Sequence, residues 1–545
     1  MNLSRIIVLA LLVFNVLTSN AEEKLHQDTQ TQLGLSDVSP ELASVEAKQR
    51  LLRGLGPEPD SLDIHLAQGV AALNVLRDLR EGLMTLDIHG QPVFGVAQSM
   101  QVEDAGLRVI FTLRQDLRWS DGSKLGAADF VRGWQRALNP ATAATNSGLL
   151  DVVENAQQIR LGKQPAATLG IKALDTHTLE IRLSRQLPWL PWLLAHPITY
   201  PLAATQQKQR LGPFNGAYLL QSWVPNDRLV LRRNPFFHSR ASVAIEQVDY
   251  LPIPNPNTEL NLYRAGNLHI TETIPPARYN WLLENYPQEL QVYPYLGTFF
   301  LGLNMRQTPL ANNPGLRRAL SLAIDRDKLT QLVLASGEQS ANSLVPPGIS
   351  GYSAATFAIE ASGQAMREQQ ARQLYQAAGY NKDNPLRLEL RINSSATHRR
   401  TALAVSAMWK QNLGIITQIV NEEWKVFVNN RRHGVITEVF RGGWIGDYPD
   451  PTTFLSLFAS DNVQNWSAYK SPRYDNLLAL ANTELDADLR NQILQRAEQQ
   501  LLNDMPMIPL YYYVSRHLVN QRVRGYMANT LDIHLSRYLS LQAAP

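Results

Sequence analysis

Apolar residues along this chain recur with two periods. Spacings of three and four predict helices over Asn74 to Leu83, with Leu76, Leu79 and Leu83 on one face, and over Ala127 to Leu138, with Phe130, Val131, Trp134 and Leu138 inward. The same spacing predicts a helix over Leu316 to Leu329, with Leu316, Leu320, Ala323 and Ile324 turned to the core. Shorter helices are expected over Thr258 to Ala265, Gln370 to Ala378 and Thr401 to Leu413, each followed by a glycine that stops it. Alternating or continuous apolar runs predict strands from Gly106 to Leu113, Leu386 to Ile392, Ile415 to Asn421 and Ile508 to Tyr513. A hairpin is expected where Ala217–Trp223 turns at Pro225-Asn226-Asp227 and returns as Arg228–Arg232. Trp119-Ser120-Asp121-Gly122 reads as a turn. Helices and strands alternate through the second half, which predicts α/β layering.

Composition narrows the class. A chain of 545 residues with 44% hydrophobic content can bury a large core and form two or three domains. The first residues have the form of a secretory signal, with Arg5, an apolar run from Ile6 to Phe14, and a small-residue cleavage site at Ser19-Asn20-Ala21. That run is too short to span a bilayer. Removing residues 1–21 takes one cation from a net charge of +3 and leaves +2, a balance that argues against nucleic acid. Glu22 to Lys48 is polar without an apolar face and is expected to be a flexible leader. With no cysteine, the chain has no disulfide, no thiolate chemistry and no acylated N-terminus. The expectation is a protein free in a Gram-negative periplasm, without a stable membrane anchor.

Candidate chemistry concentrates between Glu422 and Pro451, EEWKVFVNNRRHGVITEVFRGGWIGDYPDP. This stretch holds Trp424, Trp444, Arg431, Arg432, Arg441 and Asp447. Glycines 442, 443 and 446 would let the backbone approach a ligand and take positive φ. Asp447, between Gly446 and Tyr448-Pro449, is placed for a fixed carboxylate beside aromatic walls, which suits a cationic head group such as a free α-amine. The alternatives are an Asp that only caps its own turn and tryptophans that only fill the core.

This segment is similar, position by position, to the periplasmic oligopeptide-binding proteins of ABC importers, the peptide-binding branch of solute-binding family 5. The similarity runs in order through RDLREGL (77–83), WSDG (119–122), DFVRGWQRAL (129–138), LGIKALDTHTLEIRL (169–183), NGAY (215–218), LYRAGNL (262–268), RRALSLAIDRDKL (317–329), NWSAYKSPRYDNLL (465–478) and PLYYYV (509–514). The resemblance implies a two-lobed periplasmic binding protein fold of type II, in its large three-domain form, with a hinge between lobes. It implies domain I over 49–81, 206–296 and 515–545, domain II over 82–205, and domain III over 297–514. It implies that Asp447 binds a peptide's amino terminus, and that Arg431, Arg441 and His398 meet its carboxylate. Trp424 and Trp444 take the place of pocket walls, and Gln68-Gly69-Val70 of a ligand-facing segment. The sequence departs from the pattern at Gln68, where an acid is usual, at Asn146, where a tyrosine is usual, and at Phe300, which lacks a hydroxyl. Gly297 and Ile445 stand where some relatives carry a cysteine pair.

Eleven histidines lie apart, with no HExxH or His-x-His spacing, so neither a metal nor a cofactor is expected. No GxSxG elbow or P-loop occurs. The expected function is a monomeric, non-enzymatic binding protein that carries short peptides to an inner-membrane ABC permease. The alternatives are a relative adapted to another small solute, and a periplasmic peptide hydrolase using Asp447 with Asp450.

Overall fold

The computed structural model describes residues 49–67, 69–207, 211–356, 362–435 and 438–543. The expected signal and leader, and Gln68, lie outside them. Contacts divide the chain after Arg50, and apart from Arg50, which starts one strand, the elements below belong to the unit from Leu51 onward. Among the described residues no helix is long and apolar enough to cross a membrane.

Three sheets organise this unit. An antiparallel sheet orders Tyr218–Val224, Arg228–Arg233, Gln247–Pro252 and Arg50–Gly56. A second orders Ala97–Glu103, Arg108–Leu113, Thr178–Arg182 and Ile171–Ala173. The third has six strands, in the order Gln339–Ser340, Met507–Leu518, Leu290–Leu303, Val439–Ile445, Arg387–Asn393, Ile416–Glu422. Its first four strands pair antiparallel, whereas Arg387–Asn393 runs parallel to both neighbours. Each sheet carries its own apolar core. Two strands run between cores. Leu290 and Leu518 sit in a small cluster with Leu260 and Leu282, while Leu296–Leu303 and Met507–Tyr511 sit in the large core of the six-stranded sheet.

Local signals set most elements. The Ala127–Leu138 helix forms where its period predicts, started by Asp129, whose Oδ2 accepts the Gly126 amide at 3.1 Å. Helix Ala396–Leu413 begins earlier than expected, because Ser395 caps it by accepting the His398 amide. The helix expected over Asn74–Leu83 runs instead over Gly69–Leu79. Tertiary bonds end it: Leu79 O accepts Gly216 N at 2.9 Å, and Asn215 Nδ2 donates to Glu81 O at 2.8 Å. Gly216 is required there, since a Cβ would lie 2.4 Å from the Arg80 nitrogen. The Leu316–Leu329 pattern breaks as well. Helix Pro314–Leu322 stops, and Asp325 caps a short turn at Arg326–Lys328 that continues as a π-turn to Leu334. Arg326 is buried there, donating to Pro509 O at 2.8 Å and to Ser321 Oγ at 2.7 Å. The expected helix at Gln370 starts at Gln364.

Candidate functional site

The Val439–Ile445 strand, inside the six-stranded sheet, delivers the chemistry. Its two faces do different things. On one, Phe300 lies over Gly442 and Phe440 over Gly302, so that a Cβ on either glycine would meet a ring at 2.2 Å. On the other, Arg441 lies 5.3 Å from the Phe299 ring and donates to the Tyr513 hydroxyl at 3.2 Å. Gly443 and Gly297 leave room for Tyr513. These glycines accommodate side chains of the protein itself. None of Gly442, Gly443 and Gly446 has positive φ, contrary to expectation. Phe300, a candidate ligand contact by resemblance, is instead a core residue at 1% exposure, packed against Phe458. Its neighbour Phe299 points to the other face, close to His398, Tyr511 and Tyr513.

Three of the expected residues gather beside that face. Arg431, on helix Trp424–Arg432, is buried, with its guanidinium 3.4 Å from the Trp466 centroid and 5.2 Å from Phe427. It makes no ion pair among the described residues. Burial, and then the charges of Arg441 and Arg432, lower its pKa to about 9. His398 is pushed down to about 4 by burial and then by Arg441. Its Nδ1 lies 2.9 Å from Asn393 Oδ1. Arg432 points to solvent. The group is therefore a concentration of positive charge with no carboxylate paired to it among the described residues.

Asp447 follows the strand. Its amide donates to Thr453 Oγ1 at 3.2 Å, and Trp444 Nε1 approaches the same oxygen at 3.3 Å. The carboxylate makes no hydrogen bond or ion pair among the described residues, so it does not cap its turn and is not paired with Arg441. The side chain is exposed to water. The protein atoms around it nevertheless desolvate the carboxylate enough to raise its pKa to about 6. No cation contributes, whereas Arg441 acts on both Arg431 and His398, so acid and cations occupy separate places. The turn-forming role belongs to Asp450, which accepts Thr452 N at 3.0 Å and holds Arg490 at 2.7 and 3.0 Å. Tyr448 stacks on Trp189 at 3.7 Å and 6°, joining this loop to the core of the second sheet.

The remaining expected residues are spread more widely. Trp424 is 48% exposed and stacks on Phe427 at 6.3 Å. Gly69, with φ of 77°, and exposed Val70 open the Gly69–Leu79 helix. The loop holding Asn146 adjoins that segment, as Thr145 N donates to His65 O at 3.1 Å. Gly297 and Ile445 are cross-strand partners. Sequence reading missed Phe299, Tyr513 and Trp466; the quoted motifs contain two of them, but only strand register shows which way they point. It also missed a cluster assembled by the fold. His517 and His534 both donate to Asp532 Oδ1, at 2.9 and 3.0 Å, and His517 Nδ1 donates to Thr271 O at 3.0 Å. Buried His517 forms an ion pair with part-buried Asp532, which also accepts from His534.

Comparison with known proteins follows the same lines. The family model for bacterial extracellular solute-binding proteins, family 5 Middle, matches residues 91–466. The chain is 38% identical over 498 residues to the periplasmic oligopeptide-binding protein OppA of Escherichia coli (strain K12), covering 89% of this chain and 91% of that protein. The structure of the Escherichia coli murein tripeptide binding protein MppA aligns with a TM-score of 0.80 at 36% identity, over 91% of this chain and 98% of that one. Haemophilus influenzae OppA in complex with RPPGFSPFR aligns with a TM-score of 0.78 at 33% identity, over 91% and 99%.

Proposed function

The chain belongs to the bacterial extracellular solute-binding proteins of family 5, with their two-lobed α/β fold, and we propose that it captures short peptides between its lobes. One observation carries this reading: Asp447 is a carboxylate without a partner among the described residues, open to an incoming ligand yet partly desolvated by the protein around it. A peptide's terminal ammonium, desolvated there, regains a counter-charge, and leaving either group alone would cost several kcal/mol. The cationic face of Arg431, Arg441 and neutral His398 is suited to the far carboxylate, Arg by its bidentate geometry. Between the two ends, backbone groups common to every peptide would pair without regard to side chains.

In this reading the protein is a periplasmic monomer that delivers its cargo to an inner-membrane ABC permease. It performs no chemistry on the peptide. Asp450, the acid a hydrolytic pair with Asp447 would require, is committed to Arg490. The separate cores support a division into domain I (49–81, 206–296 and 515–545), domain II (82–205) and domain III (297–514).

Calorimetry with trialanine and its N-acetyl form tests the assignment. The wild type is expected to bind the free-amine peptide and to bind the acetylated one at least about 100-fold more weakly, the penalty of an unpaired buried charge. Asp447→Asn should lose a similar factor for the free-amine peptide and remain folded by circular dichroism. Equal wild-type affinity for the two peptides would overturn the role of Asp447.

A further inference from the structure

Arg80 follows the Gly69–Leu79 helix and is 1% exposed. Its guanidinium lies over two ring faces, 5.2 Å from the Phe214 centroid and 6.0 Å from that of Trp119. Ring faces attract its charge but accept none of its in-plane N–H groups. Nε, Nη1 and Nη2 all lack an acceptor among the described residues.

His65 is also 1% exposed. Burial, then the charge of Arg136, with Arg80 adding to both, brings its pKa to about 3, although Asp63 opposes them, so the ring is neutral. Its Nδ1 faces Arg136 Nη1 at 2.6 Å. A guanidinium only donates, so Nδ1 accepts and Nε2 carries the proton. That Nε2–H has no acceptor among the described residues either. The acid acting on Arg80 is Asp63, and Arg136 already holds it bidentately at 2.8 and 2.6 Å. Asp63 Oδ1 also accepts the His65 amide at 2.9 Å. Two guanidiniums thus share one carboxylate, and one positive charge is left over.

We infer that Arg80 and His65 form an internal site for a small inorganic anion of chloride size, walled by Trp119 and Phe214. Buried donors and charges in folded proteins are almost always answered by an acceptor. Water would take the N–H groups and leave the charge unbalanced; an anion answers both. His65 belongs to the segment that leads toward Gly69, whose carbonyls at His65 and Leu66 accept from Thr145. An anion there anchors that segment through His65.

Crystals of the full chain grown in sodium bromide are expected to show one anomalous bromide peak within hydrogen-bond distance of the Arg80 guanidinium and His65 Nε2. Only water at that position, with bromide present, overturns the inference. In solution, protein dialysed into sodium gluconate should gain a saturable rise in unfolding midpoint as chloride replaces gluconate at constant ionic strength. Arg80→Met should lose that chloride-specific rise; an unchanged rise counts against the site. The bromide measurement uses the wild type, so it decides the matter even if Arg80→Met does not fold.

Discussion

Asp447 has no cation beside it, so desolvation alone sets its acidity and, with it, the pH range of amine capture. In the peptide-free protein its pKa of about 6 lies above the ordinary 3.8. A bound ammonium favours the ionised form, so free-amine peptide affinity should be flat from about pH 7 up to the amine's own pKa of about 8, and fall roughly tenfold per pH unit below about 6. Asp447→Asn should remove that slope, which calorimetry across pH will show. Stability moves the opposite way. A carboxyl whose folded pKa is raised contributes stability that is intact below about 4 and lost as pH rises through 6. The peptide-free Asn variant should therefore melt higher than the wild type at pH 7, with the difference gone near pH 4. At this scale the sequence was readable for residue type more than for direction. The resemblance singled out Asp447, Arg441 and Arg431, whereas the local pattern alone could not tell buried Arg431 from exposed Arg432, or the core-facing Phe300 from Phe299. Adjacent strand residues face opposite ways, and only the pairing of Leu290–Leu303 with Val439–Ile445 decides between them.

Among the elements, the Met507–Leu518 strand carries the clearest pH-dependent contact. Its end is tied down by Leu518 N to Thr271 Oγ1 at 2.8 Å and by His517 to Asp532. Burial lowers the His517 pKa, but the Asp532 carboxylate outweighs it through charge and hydrogen bond, with Glu272 and Thr271 adding, and the ring titrates at about 9. A histidine with a raised folded pKa contributes stability that is fully present below about 6.5 and lost as pH rises through 9. His517→Gln should cost about 2 kcal/mol at pH 6 and much less at pH 9.5, measured by urea unfolding at both pH values. Wild type and variant differing equally at the two pH values would remove the ion pair from the account. Nothing local announced this contact, because His517, Asp532 and Thr271 come together only through the fold. Helix and strand identity was legible where one face is apolar, as in Ala127–Leu138. It failed where tertiary hydrogen bonds intervened, as at Leu79, where the Asn215-Gly216 segment takes the helix end, and at Arg326, where buried carbonyls capture a charged side chain.

At the level of the whole described unit, two strands, Leu290–Leu303 and Met507–Leu518, run between separate cores, and the Trp189–Tyr448 stack joins the loop of Asp447 to the core of the second sheet. The resemblance made a two-lobed molecule expected, but no periodicity pointed to a contact between residues more than two hundred positions apart. A stacked pair contributes about 0.5–1.5 kcal/mol beyond its buried area. If that contact exists only when the lobes are closed, removing it shifts the population toward the open form by the same amount. Tyr448→Leu keeps apolar packing against Trp189 but removes the aromatic stack. It is expected to weaken free-amine peptide binding by about 2- to 12-fold, the affinity equivalent of that energy. It should also enlarge the radius of gyration of the peptide-free protein in small-angle scattering, and saturating peptide should restore the wild-type value. A variant with unchanged affinity and radius would show that the stack exists in open and closed forms alike, leaving the two crossing strands to set the balance.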